Sequence, residues 1–229
     1  AMYINNKEIL MGKEVDLMIN YPKSKRDLSK RLVEKTKEDR DLARKFGKEF
    51  FDGDRSHGYG GFDYNSRFWS PVIPAFKEYY NLDKHKNILD IGCAKGFMLY
   101  DFIRAIPGIS VQGVDVSQYA IENSKEEVRK YLQVADAREL PFEDNTFDLA
   151  ISITTLHNFT KADMKIALKE VMRVTKKDSF ITLDAYRNDK EKNRMEAWNL
   201  TALTMMKTSE WKSFFEEVGY NGDYYWFIP

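Results

Sequence analysis

The sequence predicts an α/β protein built on an open, mostly parallel sheet wound on both faces by helices. Three observations predict it. From Asn87 onward, short apolar runs alternate with amphipathic stretches, the pattern of strand–helix–strand units. The first of those runs, Asn87–Ile91, opens into a loop of small residues before the next helical stretch begins. A hydrophobic content of 43%, with 14% aromatic residues, supplies a core for a 229-residue chain and excludes a disordered one.

The elements follow in order. Asp27 to about Phe51 reads as a helix, with Leu28, Leu32, Leu42, Phe46 and Phe50 near helical spacing, although Gly47 fits poorly near its end. Pro71–Tyr80 reads as a second helix with Pro71 in its first turn. Asn87–Ile91 is the first strand, and Phe97–Ile106 is a helix stopped before Pro107-Gly108. Val111–Val116 is the second strand, after which Ser117 caps a helix reaching about Tyr131. Leu132–Val134 and Phe147–Ile153 are the third and fourth strands, and Lys161–Val174 is a helix. Ser179–Ala185 is the fifth strand, Met195–Met206 and Ser209–Val218 are helices, and Tyr224–Ile228 is a last strand. The texture divides the chain into a charged and Gly/aromatic-rich part, residues 2–80, and an α/β core, residues 81–229. The first part reads as a helical arm followed by a lid.

Charge narrows the partners. Lys and Arg number 36, Asp and Glu 36, so bulk electrostatics gives no reason to expect nucleic acid or an anionic membrane. Basic residues exceed acidic ones locally, over residues 1–50, and Lys23–Arg31 is their densest stretch. That stretch suits either a solvated helix end or an RNA contact. Cys93 is the one cysteine, so no intrachain disulfide forms and a reducing compartment is expected. No apolar run approaches the roughly 18 residues of a bilayer span, and no leader pattern is visible. The expectation is a cytoplasmic protein with no membrane partner; a homodimer stays open. Asn199-Leu200-Thr201 matches a glycosylation sequon, with nothing else pointing to secretion. No clustered Cys/His/Asp spacing suggests a metal.

The chemistry concentrates in Asn87–Phe97, which reads N-I-L-D-I-G-C-A-K-G-F. An apolar strand ends in Asp90, then Gly92, Ala94 and Gly96 precede a helix. Open α/β sheets bind ligands at this end of their strands, and a helix start offers free N–H groups. A dinucleotide loop would need G-x-G-x-x-G, and the glycines here are spaced otherwise. The pattern resembles the first motif, D/E-x-G-x-G-x-G, of the class I S-adenosylmethionine (SAM)-dependent methyltransferases, with Ala94 in the middle glycine slot.

Later landmarks keep the resemblance in order over about Asn87–Val218. Strand two, V-Q-G-V-D-V, ends in Asp115 and Val116; an acid there can accept two hydrogen bonds from a ribose diol. Val134-Ala135-Asp136-Ala137 stands where the family places an acid against the adenine amino group, and Leu140–Ser152 resembles its run into strand four. Lys176-Lys177-Asp178-Ser179 departs from the family's usual Lys-Pro-Gly-Gly. The resemblance implies a Rossmann-like sheet of order 3-2-1-4-5 plus one or two further strands. It implies SAM as cofactor, contacted by Asp90, Gly92, Ala94, Gly96, Asp115, Val116, Asp136, Ala137 and Ser152. The family usually ends in two strands, the last antiparallel. Only ten residues follow Gly219 here, so the final hairpin is expected missing or altered, its edge covered by a helix and aromatics.

Other residues carry a sharp and a bland reading each. Cys93 reads as a small buried residue filling the turn rather than a nucleophile. His157, in T-T-L-H-N-F after strand four, is a candidate base or a satisfied structural histidine; Tyr64 is the second candidate base. Asp52–Trp69 reads as a packed surface loop or as a lid with Tyr59, Tyr64 and Arg67 pointing in, Arg67 gripping a carboxylate or phosphate. Tyr186, Arg187 and Trp198 either line a substrate pocket or pack. The reading is a methyltransferase acting on an oxygen or nitrogen of a small-molecule metabolite. An RNA or protein methyltransferase of the same fold, or a non-catalytic SAM-binding protein, is the alternative.

Overall fold

A computed structural model describes residues 11–23 and 35–229. The rest of the basic stretch after Lys23, and the start of the helix expected from Asp27, lie outside the described residues.

The arm holds α1 (Lys37–Ala43) and α2 (Lys48–Asp52), then α3 (Ser66–Trp69) and α4 (Ile73–Tyr79). The core runs β1 (Asn87–Ile91), α5 (Phe97–Ala105), β2 (Ser110–Asp115), α6 (Gln118–Glu122), α7 (Glu126–Arg129), β3 (Leu132–Val134), β4 (Phe147–Ile153), α8 (Lys161–Val174) and β5 (Thr175–Tyr186). It closes with α9 (Asp189–Trp198), β6 (Met206–Lys207), α10 (Thr208–Val218) and β7 (Asp223–Phe227). The sheet order is β3-β2-β1-β4-β5-β6, with β7 also pairing β5.

Alternation along the strands builds the two layers. Leu89, Ile91, Ala150, Ile181 and Leu183 face Leu168 and Val171 of α8 and Trp211 and Phe215 of α10. Ile88, Leu149, Ile151 and Phe180 point the other way, onto Phe76 of α4 and Leu99 and Phe102 of α5. Strands buried on both faces read as near-continuous apolar runs, which is why β1 and β4 were readable.

The last edge is altered from the family's usual pair of final strands. One strand follows α10, and it is parallel: Phe180 faces Asp223 and Asp184 faces Phe227. Lys207 sits beside Tyr186 at the carboxyl end of β5, and the single helix α10 returns the chain to the middle of that strand, beside Phe180. The outer edge of β7 is covered by an extended N-terminal segment rather than by a helix. Val15 N–H donates to Tyr224 C=O, and Tyr224 N–H donates to Lys13 C=O, both at 3.0 Å.

Three expected helices differ. The arm helix breaks at Phe46, whose φ is +48°, and α2 restarts at the Gly47 cap. Phe46 and Phe50 pack edge to face within an aromatic cluster that also holds Phe51, Tyr59 and Phe62, so tertiary packing overrides the helical spacing. The helix after Ser117 is split into α6 and α7, with Lys125 N–H taken by Lys95 C=O at 3.0 Å between them. The helix expected at Met195–Met206 lies earlier, at Asp189–Trp198, capped by Asn188. Asn199 ends it by binding Ala202 through both side-chain amide atoms. That buries the sequon asparagine to 8% exposure. Pro71 precedes α4, and Pro74 occupies its first turn instead. Among the described residues, no helix is long and apolar enough to cross a membrane.

Candidate functional site

The carboxyl ends of β1, β2 and β4 meet at one crevice. Gly92 leaves β1 at φ +82°, a left-handed turn that an L side chain adopts poorly. A Cβ there would lie 2.2 Å from Thr155 Oγ1, so the loop after β4 presses directly on Gly92. Ala94 takes φ +49°, doing at a cost of about 1 kcal/mol what glycine would do freely. Gly96 caps α5 at φ +77°, its missing Cβ filled by Leu132 and Val128. Cys93 is buried beneath this turn against Gly113, and burial pushes its thiol far up, as suits a packing residue.

Asp115 ends β2 with its carboxylate turned to the loop. Oδ2 accepts Ala94 N–H and Oδ1 accepts Ser117 N–H, each at 2.9 Å. Burial pushes its carboxyl up, and those N–H groups pull it back. A carboxylate has about four lone-pair sites, so beyond these N–H groups it can still accept, as two ribose hydroxyls require. Val116 beside it is 49% exposed, an apolar surface at the same rim. Asp90 is buried, and its carboxyl rises to about 7, through burial first and the charge of Asp115 second. These features fit an adenosyl group carrying a cationic end.

The remaining expected cofactor residues divide. Asp136 is held below its ordinary value by an Arg138 fork, Nη2 to Oδ2 at 2.6 Å, and Arg138 also reaches Asp163. Ala137 is buried beside it. Ser152 is buried, and its hydroxyl goes to Ile91 C=O at 2.9 Å, bracing β1 rather than facing the crevice.

Both candidate bases are tied up. His157 is buried, and Nδ1 accepts Asp184 N–H at 3.0 Å, so the proton of the neutral ring sits on Nε2. Burial lowers the imidazole, opposed by the nearby Asp184 carboxylate. His157 C=O takes the N–H groups of Leu203 and Thr204, which stitches this turn to the loop after α9. These contacts agree with the structural reading of His157. Tyr64 donates its hydroxyl to Asp101 on α5 at 2.6 Å and accepts from Arg104 at 3.1 Å. Burial and then Asp101 push that phenol up, which suits a docked, protonated hydroxyl.

The lid also differs from its expected pose. Arg67 is exposed, its guanidinium 4.6 Å from the Phe68 ring centroid, so it does not grip a ligand in this arrangement. Tyr59 is 44% exposed and packs on Phe50 and Phe62. Of the expected substrate residues, Arg187 is exposed and binds Glu191. Tyr186 lies 6.0 Å from the Lys192 ammonium. Trp198 packs on Phe227 and offers its carbonyl to Lys35 at 2.7 Å.

Sequence reasoning passed over Lys95 and Asp52. Lys95, in the cofactor loop, donates to both Asp52 oxygens and to Phe62 C=O. A long cation in a run of small residues was the available signal. It also passed over the arm's cations: Lys35, Arg40 and Arg44 donate to carbonyls of Trp198, Asn199 and Thr201.

Residues 88–178 match the family model of a methyltransferase domain. The chain is 31% identical over 143 residues to a tRNA (carboxymethyluridine(34)-5-O)-methyltransferase of Arabidopsis thaliana, covering 62% of this chain and 33% of that protein. It is 32% identical over 124 residues to the sterol 4-C-methyltransferase strm-1 of Caenorhabditis elegans, covering 50% and 36%. The YcgJ protein of Bacillus subtilis shares the fold at a TM-score of 0.53 and 22% identity, over 64% of this chain and 66% of that one. Among the first curated relatives, the chain spans 26% to 58% of their length.

Proposed function

The chain belongs to the class I SAM-dependent methyltransferases, and from that premise we propose that it methylates an oxygen or nitrogen of a small molecule. The observation that carries the cofactor half is the Asp115 carboxylate, held by Ala94 and Ser117 N–H at the rim of the glycine loop. When bound, SAM supplies a methyl group made electrophilic by its sulfonium. The chain's own work is then to orient and to exclude water. Asp115 accepts from the ribose, Val116 gives apolar contact, and the ionised form of Asp90 attracts the cationic end. Asp136, both of whose oxygens Arg138 engages, accepts from adenine through its remaining lone pairs. Holding an acceptor in line with the carbon–sulfur bond can supply about 7–11 kcal/mol of the barrier.

The small-molecule half rests on the arm. Its α1 helix is fastened over the loop after α9 through Lys35, Arg40 and Arg44. Those cations are spent on main-chain carbonyls instead of being presented to a phosphate backbone. Zero net charge agrees. The Arabidopsis relative favours a second reading, in which the acceptor is a tRNA nucleoside.

Calorimetry with SAM tests the first half: absence of binding overturns it. Methyl-labelled SAM incubated separately with a metabolite extract and with bulk tRNA, then read by mass spectrometry, tests the second. Label in a metabolite supports the proposal; label confined to tRNA replaces it with the second reading.

A further inference from the structure

The cofactor loop carries one long side chain, and it is directed entirely at the arm. Lys95 lies between Ala94 and Gly96 and is 5% exposed. An ammonium has three N–H donors. Here Nζ meets Asp52 Oδ2 at 2.7 Å, Asp52 Oδ1 at 3.0 Å and Phe62 C=O at 2.9 Å. Asp52 also accepts the Tyr119 hydroxyl at 2.7 Å and Phe62 N–H at 2.9 Å. Burial alone would push the Asp52 carboxyl up; Lys95, Tyr119 and Phe62 together hold it down and ionised.

The pair joins two structures that otherwise touch through softer contacts. On the core side, Lys95 C=O accepts Lys125 N–H, so its main chain is fastened to the turn between α6 and α7. On the arm side, Asp52 ends α2 in the aromatic cluster, and Phe62 stacks on Phe97 at the start of α5. A second tie sits at the ribose rim, where the Ser117 hydroxyl donates to Phe46 C=O. The same arm reaches the opposite rim through Arg40 and Asn199 C=O. Lifting the arm would therefore part an ion pair whose ammonium is buried and whose carboxylate is only partly exposed. Leaving the Lys95 ammonium without its carboxylate while it stays buried is unfavourable. Shifting the loop would do the same.

Resting on the reading of this crevice as the SAM site, we propose that Lys95 is a positioning residue that makes cofactor binding and arm docking one linked event. The Lys95–Asp52 pair parts to let SAM exchange and closes again over the bound cofactor. Coupling of this kind is reciprocal: SAM holds the arm down as much as the docked arm holds SAM.

Lys95→Met and Asp52→Asn test it, with circular dichroism melts to select folded variants. Asp52→Asn keeps the side-chain size and one acceptor oxygen while removing the charge and the second acceptor, so it serves if Lys95→Met does not fold. Stopped-flow displacement of SAM by S-adenosylhomocysteine is expected to run roughly tenfold faster in a folded variant than in the wild type. Hydrogen exchange over residues 46–64 is expected to slow on SAM addition in the wild type and to respond far less in the variants. Wild-type exchange rates together with wild-type protection in a folded variant would overturn the inference alone. A wild-type protein that binds no SAM would overturn the underlying reading as well.

Discussion

The carboxylate of Asp115 accepts the main-chain N–H of Ala94 across 2.9 Å, so the acid at the end of β2 holds the strained centre of the loop after β1. The two motifs are one device: the acid proposed to accept from the ribose also fixes the loop after β1. Asp115→Ala is therefore expected to weaken SAM binding by roughly tenfold or more, since charged hydrogen bonds are lost and the loop is released. Calorimetry checks this, and an unchanged affinity refutes the assignment.

Ala94→Gly probes the other partner. At φ +49° alanine is strained and glycine is not, so the variant is expected to gain up to about 1 kcal/mol of stability while keeping SAM affinity. Chemical denaturation measures it. A clear loss of stability would mean that the Ala94 methyl packs usefully, contrary to the strain argument.

His157 is expected to matter to folding and not to proton transfer. His157→Ala leaves the Asp184 N–H without its buried acceptor, a loss of about 1–3 kcal/mol. His157→Gln can restore an acceptor and should recover part of it. Once an acceptor substrate is in hand, the pH–rate profile of the Gln variant should keep the wild-type acid limb. A limb that disappears would restore the histidine as base.

Asp90 makes stability and binding respond to pH in opposite directions. Its carboxyl stands near 3.8 when unperturbed and about 7 in the fold. The folded state thus binds the proton more tightly, and the stabilisation is full below the unfolded value and lost as pH rises through about 7. SAM brings positive charge and favours the ionised form. Unliganded protein should therefore lose melting temperature from about pH 5 to pH 8. The increment added by SAM should grow over the same range, and Asp90→Asn should flatten both trends. Parallel melts with and without SAM decide it; a wild-type profile in the variant would sink the assignment.

The parallel core was legible because its strands are buried on both faces and its loop of small residues is local in sequence. Asp90 to Gly96 and Asp115 stand next to the elements that orient them, so the strand–turn pattern, with the resemblance it carries, singled them out. The arm was not legible in this way. Phe46 and Phe50 keep helical spacing, yet their rings pack in a cluster with Tyr59 and Phe62, and the helix breaks to allow it. Lys95 and Asp52 are far apart in sequence, and nothing local marks them as partners. His157 and Tyr64 have suitable chemistry, but their roles are set by Asp184 N–H and Asp101, which only tertiary structure supplies.

Gly92 offers the sharpest steric test, because two separable penalties meet there. A methyl group would be forced to φ +82°, and it would lie 2.2 Å from Thr155 Oγ1 and 2.5 Å from Thr155 Cγ2. Thr155 cannot easily yield. Its hydroxyl donates to Ile153 C=O at 3.1 Å, and the preceding Thr154 is held at φ +48° with its N–H on Thr182 C=O. Gly92→Ala should accordingly abolish measurable SAM binding and lower stability. Thr155→Ala removes the two closest atoms, leaves Thr155 Cβ at 2.8 Å, and does not touch the backbone penalty. The double variant should then be more stable than the sum of the two single losses by at least about 0.5 kcal/mol. Strict additivity in a denaturation cycle would mean that the loop after β4 does not press on Gly92, and that backbone conformation alone demands glycine there.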